Sequence, residues 1–124
     1  MAGSQADPIV ARAFGGVVVA STTASGAVSY DDTGTRFVFQ PAPGDLASYA
    51  LDIETVSAEI NPDLRVALGV TTRAKALRAW TELELRAKLT NTPVLACLKS
   101  PPPAKICLRR ADTATHWIAI GKLS

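Results

Sequence analysis

Side chains on which many enzyme sites depend are scarce in this 124-residue chain, which has one histidine and two cysteines. A zinc site takes four ligands in most proteins, and histidine and cysteine together supply only three here. A nucleophilic thiol would need His116 beside Cys97 or Cys107, with a third residue to orient the imidazole, and no motif indicates that arrangement. We therefore predict that the chain holds no metal.

Motifs for other catalytic chemistries are missing as well. No glycine-rich phosphate loop occurs, because "FGGVVVA" lacks the lysine and the following helix of the Walker type. The acids Asp52, Glu54 and Glu59 come from one predicted helix and point to different sides of it, which does not favour a carboxylate pair for hydrolysis. We predict a protein that is not an enzyme, with no catalytic residue and no bound cofactor.

Long apolar runs are also absent, since none approaches the ~18 residues that a membrane span requires. The segment 13–27 imitates a signal peptide, but its apolar part is only about seven residues long. Asp7 and Pro8 also lie where a basic leader belongs. We interpret the segment as an extended, partly buried strand, and we expect no membrane partner and no secretion by a signal peptide.

Aromatic residues make up 6% of the chain and apolar residues of all kinds 48%, so the core must consist mostly of Ala, Val, Leu and Ile. This composition and length predict one globular domain. The polar opening "MAGSQADP" offers no apolar face for docking on that domain. We therefore predict an extended N-terminal arm over residues 1–12, covered by a neighbouring subunit, and a single α+β domain over residues 13–124.

The order of the patterns predicts the α+β class, with N-terminal β-strands, a central helical segment and a C-terminal antiparallel β-hairpin plus a final strand. β-Branched and aromatic residues indicate strands in "FGGVVVAS" and "TRFVFQP", with a short strand and an Asp-Thr-Gly turn between them. The last third contains three further strand-like segments, "PVLACLK", "AKICLRR" and "THWIAIGKL".

The central segment begins with an ambiguous region, residues 45–60. Apolar side chains from Leu46 to Ile60 follow a helical spacing behind Asp45, which is suited to be a helix N-cap, and this favours a helix. The same residues could instead form a strand, because the Asn-Pro-Asp that follows also makes a good turn between two strands.

Two helices follow with clearer signals. "NPDLRVALG" has Asn61 as a cap, Pro62 in the first helical position and a glycine just past the end. The longest helix is predicted over about 72–89, with an alanine-rich stripe and a second apolar face that contains Leu77 and Leu85. A helix with two apolar faces is covered on both sides.

Both cysteines flank "SPPPA" (residues 100–104), which we interpret as a five-residue hairpin loop. Lys99 then pairs with Lys105, and Cys97 faces Cys107 on the side of the hairpin opposite to the core. Cysteines at such facing positions form either a disulfide or two free thiols. The absence of an export signal favours a reducing compartment, and therefore two facing thiols on a half-buried face.

Charge is divided unevenly along the chain. Residues 1–60 carry two basic and seven acidic side chains, a net charge of −5, and residues 61–124 carry eleven basic and four acidic ones, a net charge of +7. The sum is the formal net charge of +2. The basic half could contact phosphates or the acidic half of a second copy, or the two halves could neutralise each other within one molecule.

These features favour a structural subunit of a homo-oligomeric assembly. An acidic and a basic half predict a head-to-tail contact between copies of the chain. The size and character of the protein indicate a phage head or tail accessory protein that also meets other virion proteins, located in a virion or in the cytoplasm. The candidate contact residues are Arg73, Lys75, Arg78, Lys99, Lys105, Arg109 and Arg110.

DNA binding is the alternative function. "DLRVALGVTTRAKALRAW" is similar in outline to the two helices of a winged helix-turn-helix, with Leu64, Leu68 and Val70 at matching positions. Basic residues at the start of the second helix would contact DNA, and the hairpin tipped by Lys99 and Lys105 would form the wing. The second helix departs from the motif, because basic residues occupy two positions that are apolar in such proteins.

Overall fold

The computed structural model describes residues 8–124, in which seven strands and three helices follow one another. They are, in order, β1 (Ile9–Ala13), β2 (Gly16–Ala20), β3 (Ala27–Tyr30), β4 (Arg36–Gln40), β5 (Tyr49–Thr55), α1 (Pro62–Ala67), α2 (Arg73–Thr90), α3 (Val94–Lys99), β6 (Ile106–Arg110) and β7 (His116–Leu123). This arrangement confirms the predicted α+β class, with N-terminal strands, one long central helix and a C-terminal antiparallel sheet.

The strands form two antiparallel sheets. The four-stranded sheet has the order β1-β2-β4-β3, and the three-stranded sheet has the order β5-β7-β6. One face of each sheet contributes to the main core, which contains Val18, Phe37, Phe39, Leu51, Ile53, Ile118 and Ile120. Helix α2 covers the opposite face of the three-stranded sheet, where Leu85 packs against Ala50 and Ala119.

The three-stranded sheet is buried on both faces, which explains an error in the prediction for residues 45–60. β5 places Leu51 and Ile53 against the four-stranded sheet, whereas Asp52 faces α2. A strand covered on both faces loses the strict alternation that identifies strands, and here its apolar residues imitate helical spacing. The helix prediction is wrong, and the strand alternative is confirmed for Tyr49–Thr55.

α1 and α2 begin where their capping residues predict. The side chains of Asn61 and Thr72 accept hydrogen bonds from backbone amides in the first turns of α1 and α2. Asn91 adopts a left-handed conformation, with φ of 51°, that ends α2. The long helix is confirmed, and Leu77 and Leu85 on its second apolar face are buried.

The strand predicted for residues 94–99 is wrong, because these residues form α3. Leucine, alanine and lysine in this segment are good helix formers, and packing against α2 buries Cys97. The C-terminal hairpin is instead formed by β6 and β7. The predicted pairing of Lys99 with Lys105 across a hairpin loop therefore does not occur.

β2, β3 and β4 agree with the sequence patterns, whereas β1 was not predicted as a strand. The segment that imitates a signal peptide contains β2, whose Val18 is fully buried. Of the arm predicted over residues 1–12, residues 1–7 lie outside the described residues, and β1 begins at Ile9 and pairs with β2. Within residues 8–124, no helix combines the length and the apolar character that crossing a membrane requires.

Candidate functional site

The two outer strands of the three-stranded sheet carry opposite charges. β5, at one edge, holds Asp52 and Glu54 and no basic residue. β6, at the other edge, holds Arg109 and Arg110 and no acidic residue. The charge division along the sequence therefore becomes a division across one sheet, and these two edges form the candidate functional site.

The acidic edge consists of β5, the turn after β3 that carries Asp31 and Asp32, and Glu84 on α2. Burial is the largest cause that raises the pKa of Glu54, to about 7, and the nearby negative charges of Glu84, Asp32 and Asp31 raise it further. Lys88 opposes this shift. The acidic edge is thus a crowded group of carboxylates, which cations from another molecule would stabilise.

Lys88 and Asp52 form an ion pair between α2 and β5. The Lys88 ammonium lies 3.2 Å from Asp52 Oδ1, 2.6 Å from the Leu51 carbonyl oxygen and 3.3 Å from Ser29 Oγ. Asp52 Oδ2 is buried and has no hydrogen-bond partner in the described part of the chain. Burial raises the pKa of Asp52 to about 8, although the Lys88 charge opposes this. Because Ser29 belongs to β3, Lys88 joins α2 to both sheets.

Asp31 and His116 join the turn after β3 to β7. His116 Nε2 lies 3.0 Å from Asp31 Oδ2, and His116 Nδ1 lies 2.9 Å from the Thr115 hydroxyl. Burial raises the pKa of Asp31, but hydrogen bonds from Thr33, His116 and Thr35 together lower it below its ordinary value. The His116 imidazole contacts a carboxylate and a hydroxyl, and not a cysteine thiol. These contacts connect the turn after β3 in the four-stranded sheet to β7 in the three-stranded sheet.

The basic edge consists of β6 and the neighbouring Lys105 and Lys122. The Arg109 guanidinium lies 5.4 Å from the ring centre of Phe14, and the Lys122 ammonium lies 5.6 Å from the same point. Cation–π attraction to this ring holds the two positive charges beside each other. Arg109 and Lys105 are exposed, so the basic edge presents its charge to the solvent.

The backbone of β6 is open on the side away from β7. The hydrogen bond from the Ala111 amide to the Ile118 carbonyl oxygen, at 3.0 Å, fixes which residues of β6 bond to β7. By the alternation of an antiparallel ladder, the amides and carbonyls of Ile106, Leu108 and Arg110 point outward. Among the residues that the structure describes, no backbone group bonds to them, but the Leu108 carbonyl oxygen accepts from the Arg109 guanidinium at 3.2 Å.

Two of the predicted contact residues, Arg78 and Arg110, are engaged within the molecule. Arg110 makes a two-pronged ion pair with Asp112, at 2.8 and 3.0 Å, and donates to Thr81 Oγ1 at 3.1 Å. Arg78 lies 3.7 Å from Asp112 and 5.8 Å from the centre of the Trp117 ring. Burial raises the pKa of Asp112, but hydrogen bonds, with that from Arg110 foremost, lower it below its ordinary value.

The other predicted contact residues are dispersed over the surface. Arg73 donates to the Ala58 carbonyl oxygen at 3.4 Å, and Lys75 is exposed on the first turn of α2. Lys99 ends α3 and Lys105 precedes β6, so the wing predicted for a DNA-binding module is not formed. Of the seven predicted residues, only the last three along the chain lie at the basic edge.

Both cysteines are free thiols on different elements, with Cys97 on α3 and Cys107 on β6. The predicted facing arrangement depends on a hairpin that is not formed, and it is therefore wrong. Cys97 is fully buried against α2, whereas Cys107 is half-buried.

We expect the two thiols to differ in reactivity. Ellman's reagent should modify Cys107 in the native protein and leave Cys97 unreacted, because a thiolate must be accessible to react. Absorbance before and after addition of denaturant counts the modified thiols. A Cys107→Ser variant should show no native reaction, and reaction of this variant without denaturant would contradict the burial of Cys97.

Sequence patterns did not reveal the partners of Lys88 and His116. Lys88 lies four residues after Glu84, which predicts a pair on the surface of α2, but its ammonium reaches β5 instead. The one available signal was Asp52, an acid between two apolar residues in a segment that is otherwise suited to the core. An acid at such a position needs a cation, but spacing along the chain does not tell which one.

Comparison with protein-family models, with curated proteins and with solved structures found no match for this chain. What the two charged edges bind therefore has to be inferred from their charges, exposure and shape.

Proposed function

We propose that the protein is a non-enzymatic structural subunit of a homo-oligomeric assembly whose copies join head to tail. The observation that carries this proposal is the opposite charge of the two edges of one sheet. The charges that reach the solvent are those of Glu54 and Asp32 at the edge of β5 and those of Arg109 and Lys105 at the edge of β6. Two different patches on one molecule that complement each other form a heterologous contact, which repeats from copy to copy into a ring or a filament.

Side chains rather than paired strands make this contact at the acidic edge. The outward groups of β5 are already occupied, since the Leu51 carbonyl oxygen accepts from Lys88 and the Ile53 amide donates to Ser29 Oγ. β5 therefore cannot add a strand from a neighbouring molecule. The exposed Asp32 at this edge and the exposed Arg109 at the basic edge are the residues that we expect to meet.

The phage virion setting, with other virion proteins as further partners, stays a prediction.

The DNA-binding alternative has less support in the arrangement of the basic residues. Arg78 and Arg110 are held by Asp112, and residues 94–99 form a helix where the alternative needs a strand of the wing. A surface that binds DNA exposes its basic side chains to phosphates, whereas only 16% of the Arg110 side chain is exposed and its guanidinium is paired with Asp112.

Reversing the charge at one edge should break the contact. Mixing a variant reversed at the basic edge with a variant reversed at the acidic edge should restore it. Arg109→Glu and Asp32→Lys should each weaken association at least about tenfold, because like charges then face each other. A mixture of the two variants should associate as the original protein does, since each reversed edge then meets an opposite charge. Sedimentation velocity at low salt measures the extent of association in the two single variants and in their mixture.

Lys75→Glu is the matched control, because it makes the same charge change on an exposed residue of α2 that belongs to neither edge. It should leave association unchanged. High salt should dissociate the assembly, since exposed charges are screened beyond the Debye length. A monomer at low salt, or a mixture of the two reversed variants that stays monomeric, would rule out the head-to-tail contact.

A further inference from the structure

The residues at the start of β6 alternate between basic and apolar along the free edge of the three-stranded sheet. Ile106 and Leu108 point toward the side that α2 covers, where Leu108 packs against a buried cluster. Arg109 points to the other side, since its guanidinium lies over the Phe14 ring, and the alternation of a strand places Lys105 on that side as well. Both basic residues are exposed. The edge therefore has an apolar face and a basic face.

An apolar groove lies on the α2 side of this edge. Its cavity has a volume of about 350 Å³. Its apolar lining consists of Leu68, Ala79, Leu83, Pro101, Ile106 and Leu108. The two charged residues in the lining already have partners, because Glu82 lies 3.6 Å from the Arg110 guanidinium and Arg86 donates to two backbone carbonyl oxygens of the loop before β6. The groove therefore offers mainly apolar contacts.

The backbone of β6 is free to bind a further strand. The amides and carbonyls of Ile106, Leu108 and Arg110 point outward, and within residues 8–124 their one hydrogen-bond partner is the Arg109 guanidinium, which donates to the Leu108 carbonyl oxygen at 3.2 Å. A carbonyl oxygen has two lone pairs, so this bond leaves Leu108 able to accept another. The opposite edge of the same sheet is closed, since side chains of α2 and β3 occupy outward groups of β5.

We infer that β6 binds an extended peptide segment of another protein, in which acidic residues alternate with apolar ones, as an added antiparallel strand. Opposite residues of such a pair point to the same face. Apolar residues of the segment then lie opposite Ile106 and Leu108 and enter the groove, and acidic residues lie beside Lys105 and Arg109. Main-chain hydrogen bonds supply affinity and the alternate side chains supply specificity, as in other sheets that bind peptides at an edge.

Charge favours this partner over β6 of a second copy. If two copies paired through β6, centred on Leu108, the Arg109 side chains of both would lie on one face as diagonal neighbours, and like charges there repel each other. Charged residues on edge strands prevent such pairing in many proteins. An acidic segment meets the same residues with the opposite charge. The inference does not depend on the head-to-tail contact proposed above, although Arg109 takes part in both.

A fluorescently labelled heptapeptide in which glutamate and valine alternate, with glutamate at both ends, tests the binding directly. Fluorescence anisotropy at low salt should show saturable binding to the original protein. The same peptide with lysine in place of each glutamate should bind at least about tenfold more weakly, because like charges then meet at Lys105 and Arg109.

N-methylation of the peptide tests the strand pairing. In the antiparallel arrangement the valine amides point to β6 and the glutamate amides point away from it. Methylation of the valine amides should therefore weaken binding at least about tenfold, and methylation of the glutamate amides should leave it unchanged. Equal binding of the two methylated peptides would contradict pairing with β6.

Variants of the protein locate the site. Arg109→Glu reverses the charge of the basic face and Leu83→Ser removes an apolar wall of the groove, so each should weaken peptide binding at least about tenfold. Leu83 lies outside the three core clusters of the described residues, and circular dichroism should show that Leu83→Ser keeps the fold. Lys75→Glu on α2 and Leu95→Ser on α3 are matched controls at exposed positions outside the site, and they should leave binding unchanged.

Asp32→Lys separates this inference from the proposed assembly. This variant should lose the head-to-tail contact but keep the peptide site, so it should bind the heptapeptide at least as tightly as the original protein does. Absence of binding to both proteins, or binding that Arg109→Glu and Leu83→Ser leave unchanged, overturns the inference and leaves the head-to-tail contact standing. An original protein that is monomeric at low salt and binds the peptide overturns the assembly alone.

Discussion

Replacing Lys88 with methionine should lower the free energy of unfolding by about 2 to 3 kcal/mol at pH 9, and by about 1 kcal/mol less than that at pH 5. Methionine keeps the length of the side chain but removes the only cation that contacts Asp52 within residues 8–124. Loss of one partner from a buried pair costs about 3 to 5 kcal/mol. We expect a smaller loss because 36% of the Lys88 side chain is exposed, whereas Asp52 is almost completely buried.

The pH dependence follows from the direction of the Asp52 shift. Its pKa is raised from 3.8 to about 8 in the folded protein, so between these values the folded state holds a proton that the unfolded chain releases. The contribution of Asp52 to stability therefore falls as pH rises through this window. Without Lys88 the folded pKa rises further, and the loss of stability in the variant grows with pH. Urea denaturation at pH 5, 7 and 9 measures this.

Two further variants make the Lys88 prediction specific. Lys75→Met removes a lysine from an exposed position on the same helix and should change stability by less than about 0.5 kcal/mol. Asp52→Asn combined with Lys88→Met removes both charges and should recover most of the loss at pH 9. An equal loss at every pH, or a double variant as unstable as Lys88→Met alone, would show that the ion pair is not the cause.

Replacing Gly26 with alanine should destabilise the protein by about 3 kcal/mol. An alanine Cβ at this position would overlap the Phe39 carbonyl oxygen and lie 2.9 Å from Val38 Cγ1, closer than real Cβ atoms approach. Both contacts are with β4, whose Val38 and Phe39 are fully buried. The backbone of Gly26, with φ of 148°, is also one that residues with a side chain rarely adopt. The strand cannot move away without opening the main core.

Gly34→Ala separates the two causes of that loss. Gly34 has φ of 84°, but an alanine Cβ there would meet no atom within 4 Å. Backbone strain alone should therefore cost about 1 kcal/mol. Urea denaturation of the two variants side by side gives the difference. Equal losses would mean that the close approach of Gly26 to β4 contributes nothing.

Local chemistry made the starts of α1 and α2 predictable. Asn61 and Thr72 are caps because their side chains accept hydrogen bonds from amides only a few residues away. The segment 45–60 could not be decided in this way, because the burial of β5 on both faces depends on α2 and on the four-stranded sheet. The helix at residues 94–99 likewise depends on packing against α2, a contact that the neighbouring residues in the sequence do not indicate.

The charged residues of the acidic and basic edges could likewise be predicted only in part from the sequence. The charge division between the two halves of the chain was readable from the sequence, but of the predicted contact residues Arg78 and Arg110 are held by Asp112. A count of charges gives no information about which of them pair within the molecule. That selection depends on distances of 3 to 4 Å between groups far apart in sequence, which only folding brings together.

The sequence by itself determined the α+β class, the long helix and the division of charge, because propensity, capping and composition act within a few residues of each other. Only the tertiary structure decided that β5 is a strand, that Lys88 and His116 hold buried carboxylates, and that opposite charges lie at opposite edges of one sheet. These outcomes are contacts between distant parts of the chain, and their energies exist only after the sheets and α2 have packed together.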